Sequence, residues 1–293
     1  MNFDMIANID DFVKYIPTAR GTHFEDIAPF IEEAKIWTEQ EFFGRDLLSD
    51  IEAEDANSEA KKVVDSIICL KAYSTAIPFL DVIQTSNGFA VVNNSNQAPA
   101  SKERVERLLK HVQERLYFHV DNLIVCIEAK TNYLDKWRLS SRFENLTDLI
   151  YWSGIEFLQY CGDSVESVAN VADAIKHNIP YKDLQRMRSM ITGFQYQEIS
   201  SYISRVYLDD LINKRRLGTL TGEERKLIDN LKIIVALYIR NNSFKAEEQL
   251  KYIVNRMVTN IDSFPSYKES EEYKIKISER YQNQQDDATY FFL

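Results

Sequence analysis

The stretch Glu103–Asn132, ERVERLLKHVQERLYFHVDNLIVCIEAKTN, decides the fold class. Its apolar residues Val105, Leu108, Leu109, Val112, Leu116, Val120, Leu123, Ile124 and Ile127 recur every three or four positions. That spacing lines one face of an α-helix, and strands rarely run so long. Ahead of it, Pro99-Ala100-Ser101-Lys102-Glu103 reads as a helix start with Ser101 as the capping residue.

Working outward, the same period governs the flanks. Ile27, Phe30, Ile31, Ala34 and Trp37 give one apolar face to a helix expected over Phe24 to Ile51, with Glu25 and Asp26 at the positive end of its dipole. Asn57-Ser58-Glu59 opens a second helix whose inner face is Val63, Val64, Ile67, Ile68, Leu70 and Ala72, closing near Pro78. Between it and the long helix the texture changes. Residues Gln84 to Asn94 hold an Asn-Gly pair and a short β-rich run, the best hairpin or extended-loop signal in the chain. Downstream, helices are expected over Thr147 to Tyr160, Val165 to Lys176 (with Ser164 as cap), Tyr181 to Ile191, Ile199 to Leu217 and Ala246 to Met257. Thr221 and Glu224 have the spacing of a capping box for another, through Leu227, Ile228, Leu231, Ile234, Val235 and Leu237.

The expected architecture is mainly α: a multi-helix bundle with one short β-hairpin or extended loop and an extended C-terminal tail. The pattern divides into an N-terminal arm (1–22), a helical region (23–137) holding the hairpin or loop (84–97), a second helical region (138–262) and the tail (263–293). Ile31–Leu48 followed by Ala60–Tyr73 resembles Ile203–Leu217 followed by Leu227–Tyr238, with Phe43-Gly44 and Leu217-Gly218 at corresponding places. Duplication of a helical hairpin accounts for this, and so does the general likeness of amphipathic hairpins.

Composition agrees with helices. Of 293 residues 45% are hydrophobic and 27% charged, as in an ordinary globular protein, while 8 Gly and 6 Pro leave little for tight turns. The net charge of −10 repels a phosphate backbone, so a broad nucleic-acid-binding surface is not expected. Cys69, Cys126 and Cys161 lie in apolar helical stretches without a paired spacing, which points to buried free thiols and a reducing compartment. Met1-Asn2-Phe3-Asp4 lacks the basic start of a signal peptide, and the strongest apolar run, Ile233–Ile239, is too short to span a bilayer. A cytoplasmic origin without a membrane span is the expectation.

The sequence shows no catalytic constellation. No phosphate-cradling glycine motif and no nucleophile elbow occur. Of the four histidines, His111 and His119 share one helix eight residues apart, with Cys126 beyond, but metal ligands on a helix want one-turn spacing. The carboxylate clusters (Glu32-Glu33, Glu52–Asp55, Glu223-Glu224, Glu271-Glu272, Asp286-Asp287) read as solvated faces. No enzyme, cofactor or metal is expected. Lys214-Arg215-Arg216 marks a basic turn suited either to internal salt bridges or to docking on an acidic partner. Tyr281, Tyr290, Phe291, Phe292 and Leu293 give the tail an aromatic end suited to protein contact, or to folding back on its own domain.

Gly88-Phe89-Ala90-Val91-Val92, then Gln97-Ala98-Pro99-Ala100-Ser101-Lys102-Glu103-Arg104-Val105, resembles a signature of structural proteins of Bacteroides crAss-like phages and prophages. There a helical hairpin leads into a Gly-Phe-x-Val strand, an Ala-Pro-Ala-Ser turn and a long helix; the resemblance covers about Phe24 to Trp137. It implies a head–tail connector or neck ring subunit, assembled as a cyclic homo-oligomer in the virion below the portal, passing DNA through an acidic channel without specific binding. It also implies an inter-subunit loop, here Asn87, Gly88 and Phe89, and a terminus that clamps an adjacent ring, here the tail. Neighbouring portal and neck proteins would be the partners. The alternative from the residues alone is a cytoplasmic helical scaffold or regulatory binding module.

Overall fold

The computed structural model describes residues 6–17, 21–80, 83–85, 88–90, 100–161 and 180–278. Helix α1 (Ile9–Tyr15) is capped by Asn8, whose side chain accepts the Asp11 N–H at 3.0 Å. The N-terminal segment is no free arm: Ile6, Phe12 and Ile16 are buried in the first core, and the Tyr15 hydroxyl donates to Asp65 at 3.1 Å. Its short apolar period was strong enough to find a core face, despite the break at Pro17.

Helix α2 (Phe24–Thr38) passes into a π-turn over Glu39–Phe43, then Gly44, then α3 (Arg45–Glu52). The single helix expected over Phe24–Ile51 is therefore broken. Gly44 sits at φ 74°, ψ 160°, and its N–H closes the wide turn on the Glu39 carbonyl at 2.8 Å. A Cβ at Gly44 would lie 2.9 Å from the Cβ of Ser140, so glycine is required here on two counts.

Helix α4 (Glu59–Leu80) is the axis of the first core, packed by α2 on one side and α5 (Lys102–Ala129) on another. By length and composition α4 could cross a membrane, yet 61% of its apolar window is buried inside the fold. Val64, Ile67, Ile68, Cys69, Leu70 and Ala72 are all at most 2% exposed, and each large one contributes about 1.5–3 kcal/mol by burial. Between α4 and α5, β1 (Ile83–Thr85) pairs antiparallel with β2 (Gly88–Ala90), in register Ile83↔Ala90, Gln84↔Phe89 and Thr85↔Gly88. Gly88 is thus the first strand residue rather than the middle of the turn. Ser101 occupies the N-cap of α5 without a side-chain hydrogen bond; its carbonyl carries the start of the helix instead.

Helices α6 (Thr131–Trp137) and α7 (Phe143–Leu146) close the first core. Trp137 is fully buried between Phe43, Phe143 and Trp152, and its indole N–H donates to the Phe42 carbonyl at 2.8 Å. That carbonyl lies at the helix end, where the regular ladder leaves it without a partner.

The second core spans Leu149 to Tyr267. The helix expected from Thr147 begins only at α8 (Gly154–Cys161). Residues 147–153 are irregular because side chains replace the ladder. The Gln195 amide accepts the Ile150 N–H at 2.9 Å and donates to the Asp148 carbonyl at 3.0 Å. The helix expected over Val165–Lys176, with its Ser164 cap, lies outside the described residues.

Helix α9 (Pro180–Gly193) runs into a second π-turn, Phe194–Ile199, then α10 (Ser200–Ile203), Ser204 and α11 (Arg205–Leu217). Ser204 breaks the helix expected over Ile199–Leu217: it lies at φ 75°, ψ 138°, close to the conformation of Gly44. The corresponding pair across the two halves is thus Gly44 and Ser204, not Gly44 and Gly218. Gly218 has its own role as the left-handed cap of α11 at φ 68°. The capping box of α12 (Gly222–Ile239) forms as expected: Thr221 Oγ1 accepts the Glu224 N–H, and Glu224 accepts the Thr221 N–H. Helix α13 (Ser243–Thr259), a 3-10 turn, α14 (Pro265–Lys268) and α15 (Glu271–Ser278) follow. Residues 263–278 are therefore not an extended tail. Phe264 and Tyr267 are buried in the second core, and only 279–293, with Tyr281, Tyr290, Phe291, Phe292 and Leu293, lie outside the described residues.

Candidate functional site

The densest polar chemistry among the described residues is the joint between the two cores. It is built by α5, whose buried apolar residues from Val112 to Ile127 belong to the first core and whose Asp121 meets the start of α8. Asp121 is fully buried, and one carboxylate oxygen accepts the Gly154 N–H at 2.7 Å. The other has no hydrogen-bond partner. Burial pushes this carboxyl up to about 7, although the amides of Gly154, Ile155 and Tyr181 pull it down. These amides open α8 and α9, so two helix N-termini converge on one carboxylate.

Close packing supports that convergence. A Cβ on Gly154 would lie 2.1 Å from the Pro180 backbone, which only glycine permits. Tyr181 then stacks on Tyr117 at 5.2 Å and meets Phe42 edge-on at 5.7 Å, placing a residue of α9 against the first core.

Next to this lies a buried ionic network. Glu156 receives Arg215 at 2.9 Å, Lys232 at 2.5 Å and the Trp152 N–H at 2.9 Å. Arg215, 6% exposed, also pairs with Glu128 at 2.8 Å, donates to the Ile150 carbonyl, and lies 4.3 Å from the Trp152 ring centre. Burial alone would raise the Glu156 carboxyl, but Arg215 and Lys232 outweigh it and hold it below the ordinary glutamate value. Burial likewise disfavours the Arg215 charge, and Glu156 and Glu128 more than offset that. A hollow of about 420 Å³ opens beside the network, with Glu128, Thr131, Leu134, Arg215, Arg225, Asp229 and Lys232 on its walls. The charges of Glu156, Arg215 and Lys232 are matched among themselves and by Glu128. Their physical action is to lock the cores together, since removing one member would leave another buried and unpaired.

The basic turn belongs to the same joint. Lys214 pairs with Glu224 at 2.6 Å and Asp210 at 2.9 Å. Arg216 donates to Thr147 Oγ1 and to the Glu144 carbonyl, both at 2.9 Å. Arg215 is the buried ion described above. A docking role for Lys214, Arg215 and Arg216 is therefore corrected: their donors are engaged within the fold, the internal salt bridging weighed in the sequence. Gly88 and Phe89 lie in β2, whereas Asn87 is outside the described residues.

No group of three His, Cys, Asp or Glu among the described residues has metal-binding geometry. His111 faces Glu114 at 3.7 Å, and burial together with Arg115 lowers the basicity of His119. Burial raises the thiols of Cys69 and Cys126 and pushes Cys161 up to about 12, so none is a poised thiolate. Sequence reading missed Asp121, Glu128, Glu156 and Trp152. The available signal was a lone carboxylate inside an apolar run, Asp121 within Val120–Ile127 and Glu156 within Gly154–Cys161.

Residues 16–145 match a family of unknown function, DUF6712, a stretch that runs from the end of α1 through α7 and takes in most of the first core. Neither a curated protein nor a solved structure matches the chain.

Proposed function

We propose that the chain is a structural subunit of a phage virion, a head–tail connector or neck ring component that assembles cyclically below the portal. The observation that carries this reading is the β-hairpin set between α4 and α5, at the end of the helix pair where burial has run out. Phe79 is 65% exposed and Leu80 40%, and Lys102 to Lys110 includes no buried residue. A helix pair ending in a hairpin is the element whose sequence carries the resemblance to connector proteins, and it lies within the stretch matched by the family. The joint supports the reading from another side: saturated buried ion pairs make a rigid two-core body, as a load-transmitting ring requires. Residues 279–293 are the candidate clamp on a neighbouring ring. In the ring, an acidic lumen passes DNA without holding it.

A scaffold role in the cytoplasm has its own supporting observation. Phe244 and Tyr252 stand on the open side of α13, 79% and 62% exposed, as partner-contact aromatics do. Antibody labelling of purified particles under the electron microscope separates the two readings. Label at the head–tail junction supports the connector, and label confined to unassembled cytoplasmic protein removes it.

A further inference from the structure

The outer face of α5 carries a stripe that the fold does not use. Arg104, Arg107, His111 and Arg115 follow one another at three- and four-residue spacing, all are exposed, and Phe118 continues the line at 49% exposed. Arg104, Arg107 and Arg115 make no side-chain ion pair or hydrogen bond among the described residues. Of the acids on the same helix, Glu106 pairs with Lys102 at 3.7 Å, and Glu114 pairs with Lys110 at 3.8 Å and faces His111 at 3.7 Å, which leaves the three arginines open. Free arginines around an exposed aromatic are the makings of a contact centre.

The opposite surface occurs on the other core. Ser204, Val206, Asp210, Glu269, Glu271 and Glu272 surround an open hollow of about 540 Å³. Val206 is 78% exposed at its edge, and Glu269 and Glu272 have no side-chain partner among the described residues. We propose that the α5 stripe of one copy docks into the acidic hollow between α11 and α15 of a second copy, making a head-to-tail contact. Two different patches in contact form a heterologous interface, which closes into a ring when the rotation permits. The contact deepens the connector reading and rests on it for its ring geometry.

Charge complementarity selects this occupant over nucleic acid. The chain carries −10 overall, so a polyanion longer than the stripe would meet repulsion from the surface beyond it. A compact acidic hollow with an apolar edge meets only the arginines and Phe118.

A charge exchange in the full-length chain tests the contact. The first variant is Arg104→Glu/Arg107→Glu/Arg115→Glu, the second Glu269→Lys/Glu272→Lys, and the third combines all five changes. All are surface changes, and circular dichroism checks the fold. Native mass spectrometry and light scattering then read the oligomer at low and high ionic strength. We expect wild type to oligomerise and each single-face variant to weaken self-association at least about 100-fold. The five-change chain, and an equimolar mixture of the two single-face variants, should both assemble again. A monomeric wild type, unchanged oligomers in the single-face variants, or no recovery on recombination would overturn the contact. So would loss of DNA retention with the oligomer intact, which would make the stripe a phosphate-backbone surface. Particle labelling is read separately: connector label with failed charge exchange leaves the virion reading standing, and the reverse result leaves the contact standing without it.

Discussion

Glu39–Glu52 in the first core and Phe194–Leu217 in the second are built on one device. Each runs from a helix into a π-turn and on, directly in the first and through α10 in the second, to a residue near φ 75° with extended ψ, then into a new helix. In both, the carbonyl two residues before the break is met by a buried aromatic from a later helix. Trp137 reaches the Phe42 carbonyl at 2.8 Å, and the Tyr267 hydroxyl lies 3.5 Å from the Tyr202 carbonyl. The flanks match in burial: Phe43, Leu47, Leu48 and Ile51 correspond to Ile203, Tyr207, Leu208 and Leu211, all at most 1% exposed. The difference is at the break itself. Gly44 is pressed against Ser140, whereas Ser204 keeps a Cβ in a backbone region that L-residues avoid. One device tolerates no side chain, and the other holds one under strain.

The largest expected effect comes from the aromatic anchors. Trp137→Ala should cost about 3–5 kcal/mol of folding stability by cavity formation, measured by urea titration. Tyr267→Phe, which removes the long hydroxyl contact to the Tyr202 carbonyl and keeps the ring, should cost no more than about 1 kcal/mol. Equal losses would mean that the two anchors are not comparable in the way their distances indicate.

Next, Gly44→Ala should destabilise by roughly 1–3 kcal/mol, combining the positive φ with the Ser140 contact. Adding Ser140→Gly should recover the contact part and leave the backbone part. No recovery would remove Ser140 from the account.

The joint sharpens the comparison through pH, because Asp121 ties the halves that carry the two devices. Its folded value of about 7 lies above that of a free carboxyl, so the folded chain keeps a proton that the unfolded chain has lost. Stability from this group is therefore fully present near pH 4, declines as pH rises toward 7, and is level above that. Asp121→Asn should abolish this slope and stabilise the chain at pH 8 by on the order of a few kcal/mol. An unchanged slope in the variant would assign it to another group, with Asp65, pushed up to about 6 by burial, the first to examine.

The smallest effect is Ser204→Gly. Relief of strain, about 1 kcal/mol, is partly offset by the entropy that glycine adds to the unfolded chain, so a gain of up to roughly 0.5 kcal/mol is expected in thermal unfolding. A loss larger than that would show that the Ser204 side chain is needed.

Much of the helical architecture was legible because its signals are local. The period of Val105–Ile127 placed α5, the Thr221–Glu224 spacing placed the start of α12, and the Asn-Gly run marked the hairpin. The breaks at Gly44 and Ser204 were not, since a π-turn shifts the apolar face without interrupting the period. Residues 147–153 escaped for another reason: their helix-like composition is overruled by Gln195 and Arg215, distant in sequence. The joint had the same difficulty. Asp121 and Glu156 stand out as lone acids in apolar runs, but their partners come from α9, α11 and α12, and no spacing announces such convergence. The basic turn was visible, while the choice between internal pairing and docking depended on Glu156, Glu224 and Thr147.

The most direct test of the connector proposal is whether the chain is present in purified phage or induced-prophage particles, and at what copy number, by quantitative peptide mass spectrometry against the portal protein. The account expects a number equal to the portal's or a simple ratio of it. Absence from particles, or an amount that varies between preparations without relation to the portal, would contradict it.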